Sequence, residues 1–144
     1  MTKNSRLVNA APDQVWAVLA DGWLYPVWVV GAARMRDVGN DWPSTGAKLH
    51  HSVGLWPVLL DDSTEVLDSA VGTMLRLKAR AFPAGAAEVV ITLDAEAGQT
   101  RVTIDEQVVE GPARFIPAPA ETASMKWRNT ETLRRLAYVV EGRT

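Results

Sequence analysis

The chain has 144 residues, of which 47% are hydrophobic and 22% charged, and its net charge is −2. Its size predicts a single domain over residues 1–144. It contains no cysteine, which excludes disulfides and thiolate chemistry, and its scattered basic residues argue against nucleic acid as a partner. No apolar run approaches the length of a membrane span and the N-terminus has no signal-like core, so we predict a cytoplasmic protein without a membrane span.

The first part of the chain is predicted to form a strand and two short helices. Asn4–Ala10 is predicted to form a short first strand, and Pro12 fits the first position of a helix that ends at Asp21-Gly22. The aromatic segment that follows contains Pro26, which interrupts a continuous helix, so we expect a helix–loop–helix between the first two strands.

The middle of the chain alternates with a period of two, which indicates a series of strands separated by Gly, Pro and Asn turns. We expect a bulge near Asp61-Asp62. The predicted strands two to seven are Ala33–Val38, Ala47–Val53, Val58–Asp68, Thr73–Ala81, Ala86–Leu93 and Thr100–Val109.

A long amphipathic helix is predicted at the C-terminus, from about Ala120 to Glu141, with Gly142 as its cap. At 1.5 Å per residue it spans roughly 33 Å, enough to cross a small domain. Its apolar stripe, at spacings of three and four, consists of Met125, Asn129, Leu133, Leu136, Ala137 and Val140.

These elements predict an α+β fold. Consecutive strands with short turns form an antiparallel sheet of six to seven strands, and such a sheet curls because its strands twist. A long helix must bury its apolar stripe against a sheet, so we expect the concave face to wrap around the C-terminal helix.

Several short motifs support this architecture through a resemblance that covers nearly the whole chain. They are Tyr25-Pro26-x-Trp28-Val29-x-Gly31, Trp42-Pro43 before Gly46, Val53-Gly54-x-Trp56-Pro57, Glu106 followed by Gly111-Pro112, and Arg128-Asn129. Together they resemble a bacterial polyketide cyclase/dehydrase-like member of the SRPBCC superfamily, the helix-grip fold shared with START lipid-transfer domains and birch-pollen allergens. The resemblance implies an apolar cavity between the sheet and the C-terminal helix.

Glu106 is the first candidate for acid–base chemistry. In the seventh strand it shares its parity with Val102, Ile104 and Val108, so its carboxylate should face the interior. An unpaired buried carboxylate favours its protonated form, as a general acid requires. The alternatives are a solvated position near the cavity mouth or a structural ion pair with a basic residue.

His51 is the second candidate, because it lies between Leu49 and Val53 on the inward face of the third strand. An inward histidine either binds a ligand hydroxyl, transfers a proton, or is a core residue bonded to the backbone. His50 faces the other way, and no third ligand stands at a recognisable spacing, so no metal site is predicted.

Ligand contacts are expected from aromatic residues near the cavity mouth and from the inward helix stripe. Asn129 needs hydrogen bonds there, from the backbone or from a ligand. The alternative for the aromatics is ordinary core or rim packing, which we favour for Trp127, beside the stripe. The candidate ligand-binding residues are Trp28, Trp56, Val53, Met125, Asn129 and Leu133.

Three functions fit these features. The first is a carrier of an apolar or aromatic small molecule, lipid or polyketide-like. The second is a polyketide cyclase, aromatase or dehydratase that uses Glu106 and His51 as acid and base. The third is a non-catalytic protein whose cavity is filled by its own side chains. Nucleotide fingerprints and a nucleophile elbow are absent from the sequence, so no cofactor is expected. We separately predict a monomer or homodimer.

Overall fold

The computed structural model describes residues 2–30, 32–55, 58–81, 85–115 and 118–143. Within these ranges the side chains of residues 32–34, 53–55, 58–61, 81, 113, 118, 120 and 121 are not described. The strands are β1 (Thr2–Val8), β2 (Ala32–Val38), β3 (Lys48–Leu55), β4 (Val58–Ala70), β5 (Met74–Ala81), β6 (Gly85–Glu96) and β7 (Gln99–Glu110). The α-helices are α1 (Pro12–Leu19), α2 (Tyr25–Trp28) and α3 (Ala118–Glu141), with 3-10 turns at Gly22–Leu24 and Pro112–Phe115.

The seven strands form one antiparallel sheet in the order β1-β7-β6-β5-β4-β3-β2. The last six strands are a meander, as predicted, whereas β1 pairs with β7. The two short helices therefore carry the chain from one edge of the sheet to the other. This confirms the predicted α+β fold with a curved antiparallel sheet, two short helices after β1 and a long C-terminal helix.

Turn geometry explains where the predicted strand ends were wrong. β6 and β7 run on to a two-residue hairpin at Ala97 and Gly98, whose φ values of 53° and 82° match the twist of the flanking strands. The ladder therefore reaches the pair Glu96 and Gln99, three residues past the predicted end of β6. β1 ends at Val8, before Ala10, because the carbonyl of Val8 accepts the amide of Ala10 in a turn.

The predicted bulge near Asp61-Asp62 was also wrong. The ladder between β3 and β4 is regular from Lys48 opposite Glu65 to Leu55 opposite Val58. The irregularity of β4 lies instead between Val66 and Asp68, in its pairing with β5.

The core lies between the sheet and α3, with α1 and α2 closing one end. Inward residues of β3 to β7 such as Leu49, Leu75 and Ile91 are buried together with Leu133 and Leu136 of α3. α3 runs closest to β1 and α2. The predicted stripe is confirmed, since all six of its residues are buried.

Candidate functional site

Glu106 points into the interior from β7, as its parity predicted, with 5% of its surface exposed. It is not an unpaired carboxylate. Arg128 Nη2 of α3 donates to Oε2, and Asn129 Nδ2 donates to Oε1 at 3.0 Å. The structural ion pair, one of the alternatives considered from the sequence, is therefore what the structure contains.

Asn129 and Arg128 bind different oxygens of Glu106 and differ in their exposure on α3. Asn129 lies on the stripe and is buried, and its amide donates to a side chain, whereas the backbone or a ligand was the partner considered from the sequence. The Arg128 side chain is 39% exposed while that of Glu106 is 6% exposed, so the ion pair extends from the interior towards solvent.

His51 also points inward, with 2% of its surface exposed, as the parity of β3 predicted. Its Nε2 lies 2.8 Å from the hydroxyl of Thr64, on the neighbouring strand β4, rather than on a backbone group. Burial lowers the pKa of the imidazole below its usual value of 6.5, so the ring is neutral at pH 7. Its Nδ1 is buried and has no hydrogen-bond partner among the described residues.

Two aromatic rings of α2 complete this part of the interior. The Tyr25 ring stacks on His51 at a centroid distance of 5.7 Å and meets the edge of Trp28 at 5.4 Å. Trp28 is 2% exposed, and its Nε1 has no hydrogen-bond partner in the described part of the chain. The Tyr25 hydroxyl lies 3.5 Å from that of Thr64, which makes a weak bond at best.

The electrostatics of this interior keep its ring groups uncharged. Burial raises the pKa of the Tyr25 phenol, the Thr64 hydroxyl opposes this slightly, and the charges of Glu106 and Arg128 act on it with opposite signs. A neutral imidazole, a neutral phenol and a paired carboxylate can orient an apolar molecule by hydrogen bonds, but they present no uncompensated charge.

Sequence reasoning missed Tyr25 and Thr64 as members of this cluster. Tyr25 belongs to the aromatic motif at the start of α2, so the motif itself was the available signal. Thr64 was detectable only from the pairing of β4 with β3, because a threonine on a strand has no distinctive pattern of its own.

Several other predicted residues have a defined place. Met125 and Leu133 are buried on the stripe of α3, whereas Trp127 is 69% exposed. Val53 lies in β3, but its side chain and all of Trp56 fall outside the described residues.

Glu106 and His51 have different hydrogen-bond partners in the described part of the chain. Glu106 is hydrogen-bonded to residues of α3 and His51 to Thr64. Tyr25 stacks on His51, and its phenol is influenced by the charge of Glu106.

A concave feature that the sequence did not predict lies beside α1 and β2. It is an open groove of about 400 Å3. Among its described lining residues are Ala17, Asp21, Trp23, Asn40 and Trp42, and none belongs to α3.

The described residues also bear on metal binding and on membrane insertion. They contain no group of three or more His, Asp and Glu residues placed to hold a metal ion. No described helix is both long and apolar enough to cross a membrane.

Several solved structures share this fold. DynU16, a protein from the dynemicin biosynthetic locus, matches with a TM-score of 0.70, 24% identity and 98% coverage of this chain, which spans about half (47%) of DynU16. NE0264 from Nitrosomonas europaea matches with a TM-score of 0.73 and 17% identity over 99% of this chain and 94% of its own. Ara h 8.0201 matches with a TM-score of 0.71 and 11% identity over 97% and 96% of the two chains.

The sequence comparisons assign the family. No curated protein matches the sequence significantly. The model of the family described as "Polyketide cyclase / dehydrase and lipid transport" matches residues 2–141, nearly the whole chain. The resemblance inferred from the sequence motifs is thereby confirmed, and the chain belongs to this polyketide cyclase/dehydrase and lipid transport family of the SRPBCC type.

Proposed function

We propose that this protein binds an apolar or aromatic small molecule, lipid or polyketide-like, in a cavity between the sheet and α3. The family description, which covers both polyketide enzymes and lipid transport, is compatible with this role. The proposed ligand contacts are Tyr25 and the six residues predicted from the sequence. Those six are Trp28, Trp56, Val53, Met125, Asn129 and Leu133.

The observation that carries the proposal is the pair of buried, unpartnered nitrogens on Trp28 and His51. Both belong to rings packed against Tyr25, and neither has a hydrogen-bond partner among the described residues. Leaving a buried polar group unsatisfied costs about 1–3 kcal/mol. A protein retains such groups readily where a ligand satisfies them, and a few polar groups among apolar rings are typical of small-molecule sites.

The alternative is a cyclase, aromatase or dehydratase with Glu106 and His51 as acid and base. Its support is that both side chains are buried on the interior side of the sheet. Proton transfer requires each group to come within about 3 Å of the atom it serves. Because Glu106 is held by Arg128 and Asn129, it has to leave its partners to act as an acid, and we therefore prefer the carrier.

The third possibility, an interior filled by side chains, makes the opposite prediction for binding. An apolar fluorescent probe such as a naphthalene-sulfonate dye should bind the native protein and be displaced by long-chain or polycyclic compounds. Absence of dye binding by the folded protein would contradict the carrier and favour the filled interior.

Substitutions on α3 locate the binding. Leu133→Trp adds bulk to a buried position of the stripe and should abolish dye binding, whereas Tyr138→Trp places the same residue type at a position of α3 that is 66% exposed and should leave binding unchanged. If Leu133→Trp unfolds the protein, Met125→Phe tests the same stripe. Equal dye binding by the folded stripe variants and the wild type would show that the dye binds elsewhere. The cytoplasmic location and the monomeric or homodimeric state stay predictions.

A further inference from the structure

We infer that the interior site selects ligands that carry a hydrogen-bond acceptor oxygen, such as the carbonyl of a polycyclic ketone, through two N–H donors, Trp28 Nε1 and His51 Nδ1. The inference rests on the proposed function and specifies its ligand. The inferred site would bind a carbonyl-bearing ring compound more tightly than a plain hydrocarbon of the same shape.

Trp28 contributes a group that can only donate. The indole nitrogen carries a hydrogen and has no acceptor capacity. Since it is buried without a partner in the described part of the chain, the group that complements it must be an acceptor. An alkyl or unsubstituted aromatic surface leaves this donor unsatisfied.

The direction of the hydrogen bonds around Thr64 makes His51 a second donor. The hydroxyls of Tyr25 and Thr64 and the His51 Nε2 form a row, with separations of 3.5 and 2.8 Å. If Tyr25 donates to Thr64 and Thr64 donates to Nε2, both hydroxyl hydrogens are used, and the proton of the neutral imidazole lies on Nδ1. An arrangement with the proton on Nε2 leaves either the Tyr25 or the Thr64 hydroxyl hydrogen without an acceptor among the described contacts of this row, so the first direction is favoured.

The charge state of the site indicates that the ligand is neutral. Burial lowers the pKa of His51 and raises that of Tyr25, so that both are uncharged near pH 7. The interior charge of Glu106 is compensated by Arg128. A carboxylate ligand would lose its hydration beside an arginine that is already paired with Glu106, whereas a carbonyl oxygen accepts N–H bonds at a much smaller desolvation cost.

The test compares 9-fluorenone with fluorene, which share a three-ring skeleton and differ by one carbonyl oxygen. Isothermal titration of the full chain should show tighter binding of fluorenone, by roughly three- to tenfold for one buried hydrogen bond. Trp28→Phe and His51→Phe remove an N–H while keeping a ring. Each of them should lower the affinity for fluorenone by a larger factor than the affinity for fluorene, and equal reductions for the two ligands in both variants would contradict the donor pair.

Control variants show whether a change in affinity comes from the lost N–H group or from unfolding. Trp23→Phe alters a tryptophan that is 58% exposed and should change neither affinity, and thermal denaturation checks the fold of each variant. Nitrogen-15 spectra of the imidazole should show the proton of His51 on Nδ1. A proton on Nε2 instead would remove His51 from the donor pair and overturn the inference as stated.

The outcomes also separate this inference from the proposed function. Equal affinities of the wild type for fluorenone and fluorene would overturn the carbonyl preference and leave the carrier standing. If neither compound binds while the naphthalene-sulfonate dye does, the inferred ligand class is wrong. If no apolar probe binds at all, the proposed function fails with it.

Discussion

Replacing Arg128 by methionine tests the role assigned to the Glu106 ion pair. The substitution preserves the apolar stem and removes the guanidinium, so that Glu106 keeps only the hydrogen bond from Asn129. The carboxylate side chain is only 6% exposed, so it is a buried charge. The substitution removes the guanidinium that neutralises it.

The expected loss follows from the unequal exposure of the two partners. Removing one partner of a fully buried pair costs about 3–5 kcal/mol. Solvent reaches the Arg128 end of the pair, which is 39% exposed. We therefore expect Arg128→Met to lower the free energy of unfolding by roughly 1–3 kcal/mol. Glu106→Gln should cost less, roughly 0.5–1.5 kcal/mol, because Gln still accepts from Asn129 and the arginine can hydrate.

Urea denaturation of the two single variants and the double variant measures these costs. Since the double variant contains no buried charge, it should be more stable than Arg128→Met alone. A loss of 2 kcal/mol corresponds to a melting temperature lower by roughly 5–8 °C for a chain of this size. If Arg128→Met is no more destabilising than Glu106→Gln, or if the two losses simply add, the ion pair does not neutralise a buried charge as described.

Two further predictions concern pH and backbone geometry. Because burial lowers the pKa of His51 from 6.5, the native state takes up this proton less readily than the unfolded chain, and the free energy of unfolding should fall as the pH drops below about 6.5. His51→Phe should reduce this slope in denaturation curves taken at several pH values, and His50→Gln should retain it; an unchanged slope in His51→Phe would contradict the prediction. Gly85→Ala should be clearly more destabilising than Gly72→Ala: both glycines have positive φ, but a Cβ at Gly85 would lie 1.8 Å from the Glu110 carbonyl oxygen, whereas one at Gly72 has no neighbour within 4 Å. Equal melting temperatures for the two glycine variants would refute the close approach.

Periodicity predicted the parts of the site that depend on which way a residue faces. The alternation of β7 placed Glu106 inward, that of β3 did the same for His51, and the stripe of α3 identified Asn129 and Leu133. These predictions succeeded because a strand and a helix each fix the direction of a side chain relative to its neighbours.

Partners between distant elements were not predictable in the same way. Arg128 lies at the margin of the stripe, where a helical pattern does not distinguish a solvated arginine from one that reaches inward. Its bond to Glu106 depends on how α3 is placed over β7, and the contact between His51 and Thr64 depends on the register of β3 and β4. The pairing of β1 with β7 likewise joins segments that are far apart in the sequence, beyond the range of any local pattern.

The most direct test of an interior ligand site is the indole region of a proton–nitrogen correlation spectrum during titration with 9-fluorenone. The chain has six tryptophans, and Trp28→Phe identifies the resonance of Trp28. Binding between the sheet and α3 should shift this resonance in proportion to occupancy and leave those of the exposed Trp23 and Trp127 in place. Shifts confined to Trp23 and Trp42, which line the open groove beside α1, with Trp28 unmoved, would contradict the interior site.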